Sequence, residues 1–372
     1  MYKKRKFEND FMKNKKLRIA QLVLPWLPLP PPGYAGTERV VYNLTEGLVK
    51  KGHKVTLFSV GETKTSAKLE YIFEKAFGLQ PDVMKTLKSS FYPLMHVANC
   101  FEKQDDFDII HSHAQFLALP FASISKIPSV HTFHRTFQFP KQDDTDLVSR
   151  YGKKLNFVSI SNAQRIPNIN FVATVYNGID TDKFIPTKNP SRDYIFWAGR
   201  LVDKKGPLEA IKISKKLNIK LIMAGNVTEP QYFHTIIEPE IIGNPLISHI
   251  GEISQSEMIK LFQNAKLTIV PTKWNEPFGL IPVESMACGT PVISFANGGV
   301  VETIVDGETG FLIDEKDSVD GLIRKVEYVI NMPIDKYKVL CQNSHNHIIN
   351  NFSNTTMVDN YEKVYYKILN KE

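Results

Sequence analysis

Cysteine is scarce in this chain. There are three, Cys100, Cys288 and Cys341, and no two stand in a CxxC pair. An odd, scattered set excludes a disulfide framework and a thiolate zinc site, and it fits a reducing cytoplasm. Long apolar runs are missing too. No uncharged stretch reaches the ~18 residues needed to span a bilayer. The most apolar early segment, Leu22–Pro32, carries five prolines, which bar a continuous helix. No apolar region follows the basic N-terminal cluster, so that cluster does not read as a secretory signal. No G-x-G-x-x-G follows the first apolar strand, which removes the main support for a dinucleotide-dependent oxidoreductase. No D-x-D pair follows a strand either. Asp180-Thr181-Asp182 has the spacing but falls in a turn-rich stretch.

Charge is present but local. The net charge is +7, and residues 1–18 hold eight basic residues against Glu8 and Asp10, which accounts for six of the seven. A basic cluster can bind nucleic acid or an anionic membrane surface. A solvated tail over 1–16 is the simpler reading, and no nucleic-acid partner is expected. Met12 stands just before Lys13–Ile19, so the tail also reads as an upstream extension of a later start.

A chain of 372 residues exceeds one ordinary core, so two domains are expected. Strand-like and helix-like stretches alternate twice over. Leu17–Leu24, Lys54–Val60, Asp108–His111, Ser129–Thr132, Phe157–Ile160 and Phe171–Val175 read as strands of a first domain, residues 17–177. Thr37–Lys51 reads as a helix with Val40, Val41, Leu44 and Leu48 on one face, Thr37 as N-cap and Gly52 just beyond its end. Turn residues and prolines mark a linker over 178–190. A second domain, 191–350, follows with strands at Tyr194–Ala198, Lys220–Ala224, Leu246–Ile250, Leu267–Val270 and Pro291–Phe295. Alternation of this kind predicts right-handed βαβ units on parallel sheets: an α/β chain of two Rossmann-like domains facing each other across a cleft. The last segment, 351–372, reads as an amphipathic helix through Met357, Val358, Tyr361, Val364, Tyr365 and Leu369, returning to the first domain. Residues 61–107 mix lysines with aromatics. They read either as a half-buried helical pair or as a patch facing a membrane or an acceptor.

The strongest chemical signal is Glu276-Pro277-Phe278-Gly279-Leu280-Ile281-Pro282-Val283-Glu284, just after an apolar strand. Gly279 permits close backbone approach, and Pro282 suits a first helical turn. A helix starting near Phe278–Leu280 would present free N–H groups and a positive dipole end to a diphosphate, with Ile281 in the same turn. Glu276, just outside it, can reach a ligand hydroxyl, and Glu284, two turns on, a ribose diol. Arg200 and Lys205 follow a strand end and precede a helix, where two cations can neutralise a leaving diphosphate. Gly251, at another strand junction, is grouped with the binding residues, as is Gly36, which lets its loop approach a substrate. His111, His113, His131 and His134 invite a zinc reading. With no carboxylate or thiolate at ligand spacing, hydrogen bonders are the better one, and no metal is expected.

The seven-residue gap between Glu276 and Glu284 resembles the E-x7-E motif of glycosyltransferase family 4, retaining enzymes of the GT-B fold. The likeness extends to Pro30–Arg39, similar to that family's N-terminal glycine loop, to Asn177-Gly178-Ile179-Asp180 at its linker, and to Ala198-Gly199-Arg200 with Lys205-Gly206 at its phosphate-contacting segment. The family usually has two glycines where this chain has Ala35-Gly36; a positive φ at Ala35 would strain that loop. The resemblance implies a cytoplasmic hexosyltransferase, at the inner membrane face if its acceptor is there. It implies a UDP-sugar or related donor, a carbohydrate or lipid-linked acceptor, no cofactor, and catalytic roles for Glu276, Arg200, Lys205 and His134, the last holding a sugar hydroxyl. A GT-B sugar-nucleotide epimerase, a sucrose-synthase-like enzyme and a non-catalytic carbohydrate-binding protein remain as alternatives.

Overall fold

The computed structural model describes residues 15–33, 35–80, 91–137 and 142–370. The basic tail, apart from Lys15 and Lys16, and Tyr34 of the glycine loop lie outside the described residues, as do Lys85 and Lys88 of the lysine–aromatic stretch.

The chain forms two compact units. Unit 1 runs through Gly178 and resumes at Asn354, and unit 2 is Ile179–Ser353. Unit 1 is built on β1 (Arg18–Leu22), β2 (Lys54–Phe58), β3 (Lys68–Glu70), β4 (Ile109–Ser112), β5 (Ser129–Thr132), β6 (Asn156–Ser159) and β7 (Phe171–Thr174), ordered β3-β2-β1-β4-β5-β6-β7. Unit 2 is built on β8 (Ile195–Ala198), β9 (Leu221–Ala224), β10 (Ile247–His249), β11 (Leu267–Val270), β12 (Val292–Phe295) and β13 (Gly310–Ile313), ordered β10-β9-β8-β11-β12-β13. Every pairing in both sheets is parallel. The strands read as apolar runs because helices cover both faces of such sheets. Two strands escaped the sequence reading. β3 is three residues at an edge and carries Lys68 and Glu70, so it lacks the expected apolar run; in β13 the run is only Phe311–Ile313, between Gly310 and Asp314.

Helix α1 (Gly36–Lys50) buries Val40, Val41, Leu44, Thr45 and Leu48. Its N-cap is Ala35, not Thr37, and it has no side-chain cap. Ala35 sits at φ −144, in ordinary extended backbone, so the alanine causes no strain there. Gly36 is the first helical residue. Gly52, at φ 87, supplies the left-handed turn after the helix. Of the linker expected over 178–190, residues 179–190 belong to unit 2: Ile179 and Phe184 are buried, and Gln263 Nε2 donates to Ile185 O at 2.8 Å. Helix α2 (Ile334–Asn351) closes unit 2, and the final helix, α3 (Asn354–Leu369), lies within the segment 351–372 read as helical. It buries Met357, Val358, Tyr361, Val364, Tyr365, Tyr366 and Ile368. It crosses α1 so closely that a Cβ on Gly47 would lie 2.4 Å from Val358 Cγ2.

Candidate active site

In unit 2 the chain steps outward from β8 to β9 to β10, then returns to lay β11 against the other side of β8. The loops after β8 and β11 therefore diverge at one edge of a parallel sheet, the place where such sheets open a binding crevice. Arg200 and Lys205 follow β8; Glu276 to Ile281 follow β11. The sequence motifs thus fall on the two strands that flank the switch point.

Several contacts lock these two loops together. Gly206 stands at φ 70, and a Cβ there would lie 2.1 Å from Pro271 O. Lys273 N donates to Lys204 O at 2.9 Å, and Lys273 Nζ pairs with Asp203 at 2.8 Å and Glu209 at 3.0 Å. Lys205 forms a short ion pair with Glu276 Oε2, each side chain about one-fifth exposed (20% and 19%). Trp274 Nε1 donates to the same oxygen at 3.1 Å. The Nζ atoms of Lys204 and Lys205 lie 5.0 and 5.3 Å from the Trp274 ring centroid, so cation–π attraction also holds the pair. Lys205 and Glu276, assigned separate ligand groups on sequence grounds, hold each other. A diphosphate reaching Lys205 would compete with this carboxylate. Arg200 is exposed on the same loop.

After Glu276 the chain turns at Gly279, φ 92, into an eight-residue helix, Leu280–Ala287, whose N-terminus has no side-chain cap. Its first N–H groups are the donors such a site requires. Phe278 is 2% exposed and packs on Phe352 with ring centroids 5.9 Å apart, so its side chain anchors the turn and only its backbone can serve a ligand. Leu280 and Ile281 are half-buried at the helix start, and Glu284 is 3% exposed within the helix. Gly251, φ 73, has open space around its missing side chain; its carbonyl accepts from Gly225 N at 2.8 Å.

The sequence reading missed Gly298 and Gly299. Gly298 is at φ 60, and its Cβ would sit 2.3 Å from Glu276 O; at Gly299 a Cβ would meet Pro277 O at 2.5 Å. Gly299 N donates to Glu276 O at 2.6 Å. This pair seats the backbone of the Glu276 turn. A Gly-Gly step in the loop after β12 was the available signal.

In unit 1, His134 follows β5 and Gly36 opens α1 after β1. His111 and His113 lie at the end of β4. His134 Nε2 is 2.9 Å from His113 Nδ1, and His113 Nε2 is 3.1 Å from Gln21 Oε1. Gln21 Nε2 donates to Tyr365 Oη at 3.1 Å, and Tyr365 Oη is 2.6 Å from His111 Nδ1. His111 Nε2 is 2.9 Å from Thr132 Oγ1, itself 3.1 Å from Tyr361 Oη. His131 instead bonds Ser129 within its own strand, at 3.0 Å. Burial pushes His131 down to about 3 and His134 to about 4. Burial, reinforced by neighbouring imidazoles, holds His111 and His113 well below the usual histidine range. Among the described residues no group of three or more His, Cys, Asp or Glu is placed to hold a metal ion.

Known proteins resemble the chain across this whole arrangement. Residues 34–183 match the family described as Glycosyltransferase Family 4, and residues 178–347 match Glycosyl transferases group 1. A D-inositol 3-phosphate glycosyltransferase of Corynebacterium aurimucosum is 23% identical, with 82% of this chain and 86% of that protein covered. Among solved structures, sucrose-phosphate synthase from Thermosynechococcus elongatus superposes with a TM-score of 0.80 at 18% identity, over 96% of this chain and all (100%) of that one. Anabaena HepE in complex with UDP-glucose gives 0.73 at 17% identity, over 94% and 100%.

Proposed function

The chain belongs to glycosyltransferase family 4, its C-terminal half to the glycosyl transferases of group 1, and from that premise we propose that it moves a hexose from a UDP-sugar to a glycan, glycolipid or small-molecule acceptor with retention of configuration. The observation that carries this reading is the Lys205–Glu276 pair, fixed beside the uncapped helix start at Leu280. Unit 2 takes most of the donor. The helix N–H groups, Arg200 and Lys205 neutralise the diphosphate, Glu276 receives hydroxyls of the sugar ring, and Glu284 receives the ribose diol. His134 holds a sugar hydroxyl, and unit 1 takes most of the acceptor. The bond from the anomeric carbon to the diphosphate breaks as the acceptor oxygen bonds to the same face. The acceptor proton leaves on the departing phosphate oxygen. No second carboxylate is needed as a covalent nucleophile, and positioning with charge stabilisation supplies the catalysis. The UDP-glucose complex of HepE, a protein of the same fold, supports a uridine donor.

A thermal-shift panel of nucleotide sugars tests the donor, because a true donor must stabilise the folded state. An NMR time course of the product tests the stereochemistry. No stabilisation and no transfer across the panel would sink the reading, and an inverted anomer would sink its mechanism.

A lipid-linked acceptor, or contact with a bilayer surface, has its own support. Tyr71, Ile72, Leu79, Phe91, Tyr92 and Met95 of unit 1 are exposed, Phe91 by 69%. Among the described residues no helix is long and apolar enough to cross a membrane, so the contact proposed is peripheral. Co-sedimentation with anionic vesicles, lost in a Phe91→Ser, Met95→Ser variant, is the expected result. Equal sedimentation of both proteins counts against it.

A further inference from the structure

Trp274 stands two residues before Glu276, in the loop that leaves β11. Its backbone is tied down by the residue before it, since Lys273 N donates to Lys204 O at 2.9 Å. Its side chain is half-buried, and both parts of the indole are engaged. The ring lies 5.0 and 5.3 Å from the Nζ atoms of Lys204 and Lys205. The N–H donates to Glu276 Oε2 at 3.1 Å. Lys205 Nζ donates to that same oxygen. Both side-chain bonds of Glu276 therefore fall on Oε2, and Oε1 is uncommitted among the described residues.

The direction of the Trp274 bond is set by chemistry, whatever its length, because an indole nitrogen donates and has no lone pair to offer. A hydroxyl or an amide in its place would also present an acceptor to Lys205. A lysine or arginine would add a further cation beside the diphosphate site. The indole does neither: it holds one carboxylate oxygen and lays an electron-rich face on the cations. The two holders of Oε2 also respond differently to a ligand. A diphosphate draws on Lys205 by charge and has far less pull on a neutral N–H.

We propose that Trp274 is a positioning residue: its N–H keeps Oε2 of Glu276 occupied when Lys205 turns to the diphosphate, so that Oε1 remains the oxygen that receives hydroxyls of the transferred sugar. The ligand groups in this statement rest on the proposed function; the bond between Trp274 and Glu276 does not. Without the N–H, a carboxylate released by Lys205 rotates freely. The sugar contact weakens and the diphosphate contacts persist, so the loss is confined to the sugar.

Trp274→Phe tests this, because it keeps an aromatic ring beside the lysines and removes the N–H. Calorimetry on the full-length protein, with UDP and with UDP-glucose, reads the two parts of the ligand separately. The ratio of Kd for UDP to Kd for UDP-glucose should fall about tenfold in the variant, the scale of one hydrogen bond to a charged group. Kd for UDP itself should stay within about twofold of wild type. An unmoved ratio overturns the proposal. So does an equal loss of affinity for both ligands, which would mean that the indole only supports the lysine loop. Absence of UDP-glucose binding in the wild type marks failure of the proposed function and takes the sugar role with it; wild-type binding with an unmoved ratio marks failure of this inference alone. A second measurement needs no ligand. The chain has three tryptophans, so protein labelled with 15N-tryptophan gives three indole N–H signals. Trp26→Phe and Trp197→Phe remove the other two and assign that of Trp274, even if Trp274→Phe does not fold. The Trp274 signal should move in Glu276→Ala, and a signal that stays in place overturns the bond.

Discussion

Lys205 is held by Glu276 and Trp274, so it is oriented before any ligand arrives, while Arg200 on the same loop is exposed. Removing one preorganised charge from a developing leaving group costs about 10²–10³ in rate. Lys205→Ala and Arg200→Ala are each expected to lower donor kcat/KM on that scale in a transfer assay; wild-type values for both would remove the diphosphate role. The buried histidines carry a separate prediction. His131 and His134 fall from 6.5 to about 3 and about 4 on folding. Below pH 6.5 the unfolded chain takes up protons that the folded chain refuses, so stability is full above that value and declines toward pH 4. Each such histidine contributes a slope of up to about 1.4 kcal/mol per pH unit inside its window. Urea midpoints should therefore drop between about pH 7.5 and pH 5.5, before carboxylates titrate. Equal midpoints at the two pH values would contradict the neutral state of these rings. At this scale Glu276, Glu284, Arg200 and Lys205 became candidates from the sequence because each lies in a short local pattern. The ion pair between Lys205 and Glu276 could not, since it joins two loops far apart in the chain.

Two glycines separate strain from collision among the loops and turns of unit 2. Gly298 and Gly307 both sit at positive φ, 60 and 77, so alanine at either costs about 1 kcal/mol of backbone strain. Only at Gly298 does the added carbon strike backbone, 2.3 Å from Glu276 O, whereas Gly307 faces open space. Gly298→Ala should lower the thermal midpoint by several degrees more than Gly307→Ala, and it alone should reduce donor turnover. Matching melting curves and activities for the two variants would mean that Gly298 does not seat the Glu276 turn. The same contrast explains what pattern reading can reach. Strands buried on both faces announced themselves as apolar runs, and α1 by its Val40–Val41–Leu44–Leu48 spacing. The three-residue edge strand β3 did not, and the start of α1 was misplaced because Ala35 caps it through backbone conformation alone. Gly298 is demanded by a contact, and contacts between distant segments have no local signature.

The molecule as a whole is two units of which only the second is continuous in sequence. Helix α3 belongs to unit 1, where Tyr361 and Tyr365 bond Thr132, His111 and Gln21 and Lys51 pairs with Asp359 and Glu362 at 2.6 and 2.5 Å. Deleting residues 354–372 uncovers an apolar face and strips partners from buried polar groups, at about 1–3 kcal/mol for each group left unsatisfied. Limited proteolysis of the truncated chain should cut unit 1 readily and leave 179–353 protected by UDP-sugar; a unit 1 as resistant as in the full chain would refute this. The discontinuity has a consequence for biosynthesis. A ribosome delivers the sheet of unit 1 first and the helix that completes its core only after all of unit 2. Domains generally fold as units in the order they emerge, but here that order is inverted. On that order unit 2 can close before Gln21, His111 and Thr132 meet Tyr361 and Tyr365, and the core of unit 1 is completed only once α3 has emerged.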